Sequence, residues 1–387
     1  MKKIPFSPPK MDKAIVDEVV ATLNSGWITT GPRTKALEKE VEKLAQVPRV
    51  LCVNSCTGGL ELMMRWLGIQ EGDEVIVPAF TYCATANVVL HCGAKPIMVD
   101  VKSDDFTIDI EAVKNAITSK TKAIVPVDLG GMPIDYSELL NLVKSDEIKN
   151  QFQPRTTIQQ QLNRIAVITD AAHSIGASYL GQPAAKQADV TVFSFHAVKN
   201  LTTAEGGAIC LNLPDSFDAD EIYTKLNTKT VHGQSKDALA KFGKNSWEYD
   251  VVEAGYKFNM PDVLAAIGLT SEIENSTIAF IIMAIAIVIS GLLMLVLADK
   301  ISAFLAKNRM YEVLGLFILF IVGIMLVTEG GHLAHIKLFG NEIVPMSKTT
   351  FYFVIVVLVI VDVVQGRYQK KLIKQQEIGV RDENQNV

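Results

Sequence analysis

The sequence predicts two unlike parts: an α/β domain with a mostly parallel sheet over residues 1–270, and about three transmembrane helices over residues 271–387. Short apolar segments alternate with amphipathic helical segments in the first part, which is typical of a parallel sheet covered by helices on both faces. In the second part, one run of 22 residues, 277–298, contains no charged side chain. A mean hydropathy of +0.25 with 20% charged residues is the average of these two compositions.

The elements of the first part are predicted from their hydrophobic periodicity. Residues 26–32 form a turn-rich linker, and the Gln-rich stretch 144–163 is interpreted as a surface insertion. The predicted helices are 12–23, 35–45, 58–67 and 85–90. The predicted strands are 74–77, 96–99, 122–127, 165–169, 190–195 and 208–211.

Charge and cysteine content exclude several functions. The chain contains 37 basic and 42 acidic residues, of which 10 and 8 follow residue 276, so that residues 1–276 hold 27 and 34, a net charge of −7. Neither part is basic enough to favour nucleic acid as a partner. The five cysteines lie in the first part without paired CxxC spacing, which predicts buried, reduced thiols and no metal site. The polar N-terminus is unlike a signal peptide, so that the first part is expected in the cytoplasm.

The first candidate site is a run of small and hydroxyl residues before a predicted helix, which includes Ser55, Cys56 and Thr57. Backbone N–H groups and the positive end of the helix dipole can bind a phosphate at such a position. A hydroxyl residue at a helix start is more often simply a cap, so that both interpretations stay open.

The second candidate site is Asp170, at the C-terminal end of an apolar strand and three residues before His173. The carboxyl ends of strands form the ligand-binding edge of an open α/β sheet. An acid there can pair with a pyridinium nitrogen and make the ring an electron sink. Helix capping is the alternative.

The third candidate site is Lys199, which follows an apolar strand and lies among small and hydroxyl residues that include Ser194. A partly desolvated amine is more readily neutral and can act as a nucleophile. A solvated loop lysine is the alternative interpretation of this residue taken by itself.

Together these stretches resemble the DegT/StrS family of sugar aminotransferases, which depend on pyridoxal 5′-phosphate (PLP), from residue 26 to about residue 270. The resemblance implies the large domain of the fold-type I aminotransferase fold. It implies that Lys199 is the Schiff-base lysine, that Asp170 faces the pyridine nitrogen and that His173 lies beside the cofactor. The implied reaction transfers an amino group, typically from glutamate, to a nucleotide-linked keto sugar used in polysaccharide biosynthesis.

The same resemblance implies further cofactor contacts. Residues 55–57 match the phosphate-binding turn, where the family usually has Ala at the position of Cys56. Ser194 matches another phosphate contact, and Tyr82 matches an aromatic residue that stacks on the cofactor ring. Asn259 matches a residue that the family inserts into the site of the neighbouring subunit, which implies a homodimer.

The second part resembles the last three helices of TerC-type integral membrane proteins, a family connected with tellurite resistance and metal export. The matching residues begin at Lys307, and the spans are predicted near 277–298, 311–330 and 349–365. A helix of 22 residues is long enough to cross a hydrocarbon core of about 30 Å. The lipid bilayer of the inner (cytoplasmic) membrane is therefore an expected partner.

The two parts lead to different predictions of function. In the aminotransferase family a second, smaller domain follows the position of residue 270, whereas this sequence continues into residues of lipid-facing type. The basic residues of the second part predict, by the positive-inside rule, that the first part lies outside the cytoplasm, against the expectation above. The sequence leaves three alternatives: a truncated aminotransferase, a TerC-like membrane protein, and a chimera without function as a whole.

Overall fold

The structure is a computed structural model, and it describes residues 9–236, 248–271, 337–338 and 341–342. The chain divides into two compact units, residues 1–287 and 288–387. The predicted boundary near residue 270 and the three predicted spans lie at the end of, or outside, the described residues and stay predictions. In the part that the structure describes, no helix is long and apolar enough to cross a membrane.

Helices and strands alternate along the first unit. The helices are α1 (Lys13–Asn24), α2 (Pro32–Ala45), α3 (Cys56–Leu67), α4 (Cys83–His91), α5 (Ile110–Ala116), α6 (Tyr136–Lys144), α7 (Asp146–Gln151), α8 (Thr157–Leu162), α9 (Ala219–Thr230) and α10 (Asp262–Thr270). The strands are β1 (Arg49–Val53), β2 (Glu74–Pro78), β3 (Lys95–Val99), β4 (Thr121–Ile124), β5 (Ala166–Asp170), β6 (Ser178–Tyr179), β7 (Gln182–Pro183), β8 (Val190–Ser194) and β9 (Gly207–Leu211). In the second unit, β10 (Lys337–Leu338) pairs with β11 (Asn341–Glu342).

Seven strands form one sheet in the order β1-β9-β8-β5-β4-β2-β3. Only β9 runs against the others, because it is antiparallel to both of its neighbours, β1 and β8. The predicted α/β fold with a mostly parallel sheet is confirmed. Strand β1 was not predicted; it is a five-residue edge strand that lies between two helices.

Both faces of the sheet are covered. Successive residues of one strand contribute to different clusters: Val75 and Val77 pack with α3 and α4, whereas Ile76 between them packs with α5 and α6. All five residues of β5 and of β8 are buried. Burial on both faces explains why these strands are continuous apolar runs without alternation.

Most residues of the segment 144–163 are exposed, as predicted, but the segment is part of the fold and not an insertion on its surface. The segment forms α7 and α8, and the apolar side chains Ile148, Phe152 and Leu162 are buried. Gln159 is fully buried, and its amide donates a hydrogen bond to the carbonyl of Leu67, 3.1 Å away at the end of α3. The segment therefore satisfies an otherwise unpaired helix carbonyl.

The prediction of buried cysteines is wrong at one position. Cys52, Cys56, Cys92 and Cys210 are buried and unbridged, but Cys83, the first residue of α4, is exposed.

A carboxylate from the end of the described domain holds the start of α2. Asp262 is fully buried and accepts hydrogen bonds from the backbone N–H groups of Gly31 (2.7 Å), Arg33 (3.0 Å) and Thr34 (2.9 Å). The Thr34 hydroxyl donates a fourth bond, at 2.7 Å. Gly31 has no side chain to cap α2, so that Asp262 performs this role from 231 residues away.

We expect Asp262→Ala to lower the free energy of unfolding by about 3 kcal/mol, because three N–H groups would lose a charged acceptor. Asp109→Ala is a matched control, since Asp109 caps the short helix α5 through two N–H groups. It should cost about 1 kcal/mol. Denaturant unfolding followed by tryptophan fluorescence measures both values, and equal losses would contradict the role given to Asp262.

Candidate active site

The predicted site residues all lie near the carboxyl edge of the parallel strands. Asp170 ends β5, and His173 follows it; Ser194 ends β8, and Lys199 lies in the loop that leads to β9. The turn 55–57 follows β1, and Tyr82 follows β2. Because parallel strands end at the same edge of a sheet, residues from four separate stretches are brought together there.

Asp170 is buried and has three hydrogen-bond donors. Its Oδ2 accepts from the Thr85 hydroxyl at 2.8 Å, and its Oδ1 accepts from the Ala172 N–H at 3.2 Å. The Cys56 thiol lies 3.7 Å from Oδ1. Burial raises the pKa of Asp170, while these donors and the positive charge of Lys199 act in the opposite direction.

Lys199 is half-buried in a tightly bonded loop. The N–H of Thr203 donates to the carbonyl of Phe195 at 2.9 Å, and the N–H of Phe195 donates to Gly206 at 2.8 Å. Ala204 has a φ of 68°, which is a strained conformation for a residue with a side chain. Burial lowers the pKa of the Lys199 amine, and the negative charge of Asp170 acts against that shift. A neutral, nucleophilic amine is therefore more accessible here than in water.

His173 is held as a neutral imidazole. Its Nδ1 accepts a hydrogen bond from the Gly130 N–H at 3.2 Å, so that the proton of the neutral ring is on Nε2. Burial lowers its pKa to about 4, and the positive charge of Lys199 contributes to the shift. The ring therefore offers an N–H donor at Nε2 near neutral pH.

The turn 55–57 forms the start of α3. Ser55 is the N-cap, and its hydroxyl accepts from the Gly58 N–H at 3.0 Å, so that the capping interpretation is correct for this residue. Cys56 is buried, and burial raises the pKa of its thiol well above the ordinary value. A Cβ on Gly207 would lie 2.6 Å from the Cys56 backbone nitrogen, so that only glycine allows β9 to approach this turn.

The other three predicted residues are close to the same edge. The Ser194 hydroxyl is buried and accepts from the His196 N–H at 3.4 Å. Tyr82 is 76% exposed at the start of α4. The Asn259 amide donates to the Thr30 hydroxyl at 2.7 Å, whereas its buried Oδ1 has no hydrogen-bond partner among the described residues. Its predicted insertion into a neighbouring subunit stays a prediction.

Two residues of the site were not identified by the sequence analysis. Thr85 is buried on α4 and donates to Asp170. Asp128 follows the strand predicted at 122–127 and is buried, and burial raises its pKa to about 6. Asp128 carries the same signal as Asp170, an acid directly after an apolar strand, whereas a threonine within the apolar helix α4 carries none.

Comparisons with known proteins agree on one family. The model of the DegT/DnrJ/EryC1/StrS aminotransferase family matches residues 9–152 and 154–272. The chain is 37% identical over 267 residues to an uncharacterized protein of Methanocaldococcus jannaschii. It is 36% identical, also over 267 residues, to the spore coat polysaccharide biosynthesis protein SpsC of Bacillus subtilis. Each alignment covers 69% of this chain and 63% of the relative, so that the chain spans less than two thirds of these relatives.

A solved structure gives the same result. The PMP form of a putative sugar aminotransferase from Streptococcus pneumoniae is 48% identical, with a TM-score of 0.66. The alignment covers 69% of this chain and 66% of that one. The PLP form of the same protein is 46% identical, with a TM-score of 0.65 and coverage of 69% and 65%.

We expect the burial of His173 to make folding less favourable in acid. With a folded pKa of about 4 against an ordinary value of 6.5, the unfolded chain binds this proton first as the pH falls, and stability is lost between these values. His173→Gln should therefore lose less stability than the wild type between pH 7 and pH 4.5, by about 2–3 kcal/mol.

Urea unfolding at a series of pH values measures the difference. The raised pKa values of Asp128 and Asp170 have the opposite effect, because protonation of these carboxyls favours the folded state as the pH falls. Both carboxyls are present in His173→Gln and in the wild type, so that their effect cancels in the difference. His91→Gln, at an exposed histidine outside the site, is the control. Parallel pH profiles for His173→Gln and the wild type would contradict the expectation.

Proposed function

Because the chain belongs to the DegT/DnrJ/EryC1/StrS aminotransferase family, we propose that it transfers an amino group, from a donor such as glutamate, to a nucleotide-linked keto sugar. The observation that carries the proposal is the cluster of Lys199, Asp170 and His173 at one edge of the sheet. The cofactor is pyridoxal 5′-phosphate, on which the family depends and of which the pneumococcal relative has a PLP form.

The residues of the site fit this cofactor. The start of α3 offers backbone N–H groups and a positive dipole end, and Gly207 leaves the approach to it free of a side chain. The buried carboxylate of Asp170 fits a protonated ring nitrogen.

Each residue of the cluster has a role that follows from its environment. The bound cofactor supplies an electron sink for the carbon that exchanges its proton. Lys199 would hold the cofactor covalently, and its amine, whose pKa is lowered by burial, would move the proton at the substrate carbon. Asp170 holds a proton on the ring nitrogen by its negative charge. The neutral ring of His173 orients the cofactor by donating from Nε2.

The substrate class and the dimer are supported by the relatives and by the resemblance. The relatives include a putative sugar aminotransferase and a protein named for polysaccharide biosynthesis. A keto sugar on a nucleotide is the substrate that this family membership favours. A homodimer in which Asn259 reaches the site of the neighbouring subunit is part of the same proposal.

We expect Lys199→Ala to lose the covalently held cofactor and to lower the rate of amino transfer by at least about 100-fold, because proton transfer by a positioned group contributes that much. Borohydride reduction followed by mass spectrometry should find the cofactor on the wild-type peptide that contains Lys199. Lys186→Ala, at an exposed lysine far from the edge, is the matched control. A wild-type protein that holds no cofactor at Lys199 would overturn the proposed function.

A separate proposal concerns residues 271–387, which we propose to be a TerC-like membrane segment that places the chain at the inner membrane. It is supported by the uncharged run 277–298 and by the resemblance of the sequence. A role of this segment in metal export or tellurite resistance is the alternative to the aminotransferase function. A chimera without function as a whole is the third alternative.

The full-length chain should remain in the membrane fraction after extraction with alkaline carbonate. This is expected because carbonate removes proteins bound only at the membrane surface, whereas the predicted spans would lie within the hydrocarbon core. Release of the wild-type chain by carbonate would contradict the proposed membrane segment.

A further inference from the structure

Asp128 is a buried carboxylate with no role in the reaction as described above. It is 1% exposed and follows Val127, beyond the end of β4. Its Oδ1 accepts from the Ile134 N–H at 3.1 Å, and its Oδ2 accepts from the Ser174 hydroxyl at 2.8 Å. The Tyr136 hydroxyl lies 2.9 Å from both oxygens. Every one of these partners donates a hydrogen to Asp128.

These hydrogen bonds join two loops of the site. Ile134 and Tyr136 belong to the segment after β4, whereas Ser174 belongs to the segment after β5 and is the neighbour of His173. The Asp128 N–H also donates to the Asp170 carbonyl, at 3.2 Å. The position of one loop relative to the other is therefore fixed at this carboxylate.

The turn between Asp128 and Ile134 contains Gly130, whose N–H donates a hydrogen bond to His173. Gly131 donates its N–H to the Asp128 carbonyl at 3.1 Å, and Gly130 has a φ of 59°, in the left-handed region. This conformation directs the Gly130 N–H at Nδ1 of His173, 3.2 Å away. Without that donor, the preference for the proton on Nε2 would be weaker.

We propose that Asp128 is a positioning residue for His173: it holds the two loops together so that the Gly130 N–H fixes the proton of the neutral imidazole on Nε2. The inference rests on the proposed function only in the statement that His173 contacts the cofactor. The hydrogen bonds around Asp128 and His173 are present in the protein without cofactor. A carboxylate can accept all of these hydrogen bonds at once. An asparagine keeps one acceptor oxygen, so that at least one of the two hydroxyls would have to turn and accept from the NH₂ group instead.

The test is the tautomer of His173, measured by ¹⁵N NMR on the full-length, cofactor-free protein with labelled histidine; His173→Gln assigns the signals. In the wild type, the two ring nitrogens should have well-separated shifts, with the hydrogen on Nε2. In Asp128→Asn, this separation should become smaller as the tautomer with the hydrogen on Nδ1 becomes more populated.

Asp135→Asn is the matched control, because Asp135 lies on the same segment and caps α6 without contacting Asp128. It should leave the His173 signals as in the wild type. A purely structural role for Asp128 would lower stability in Asp128→Asn but leave the tautomer unchanged, and that result would overturn the proposal. If Asp128→Asn does not fold, Tyr136→Phe removes one donor and should still reduce the separation.

The inference and the proposed function fail separately. A wild-type His173 with its proton on Nδ1 would overturn the inference, whatever the protein binds. A wild type that has the expected tautomer but takes up no pyridoxal phosphate would overturn the proposed function and leave the role of Asp128 intact.

Discussion

The described domain depends on the capping of α2 by Asp262. This bond fixes α2 against the sheet, where Glu38 accepts the Cys52 N–H at 3.0 Å and Glu42 accepts the Val50 N–H at 3.3 Å. Both N–H groups belong to the edge strand β1, whose open side would otherwise be free to pair with another chain. Strand β1 leads directly into the turn 55–57. The start of α3, where a phosphate is expected, is therefore held in place by a carboxylate about 200 residues further along the chain.

The site combines buried charges whose effects partly offset one another. Burial raises the pKa of both Asp128 and Asp170, and the charge of Asp170 adds to the rise at Asp128. Hydrogen-bond donors act against the rise at both carboxyls. Burial lowers the pKa of Lys199 and His173. Groups whose pKa values are shifted by burial and by a neighbouring charge are typical of sites that transfer protons. They are tolerated because the surrounding hydroxyl and N–H groups are already oriented before any ligand binds.

Much of this arrangement could be predicted from the sequence, and the remainder has identifiable causes. Asp170, His173 and Lys199 were found because each follows a recognisable buried strand. Strand β1 was missed although it is as long as the predicted strands β2, β3, β5, β8 and β9. The role of the segment 144–163 was missed because composition does not reveal that Thr156 and Gln159 both donate to the last carbonyl of α3. Thr85 and the partners of Asp128 depend on contacts between distant segments, which no local pattern encodes.

The separation of Asp262 from the helix that it caps has a consequence for how the chain folds during synthesis. Helix α2 leaves the ribosome 231 residues before its cap. At about 5–20 residues per second, it must wait roughly 10–50 s for that partner. Strand β1 waits similarly for β9, with which it pairs. The nascent N-terminal segment therefore exposes an uncapped helix and an unpaired strand for most of translation, which makes it a natural client for chaperones that bind at the ribosomal exit tunnel.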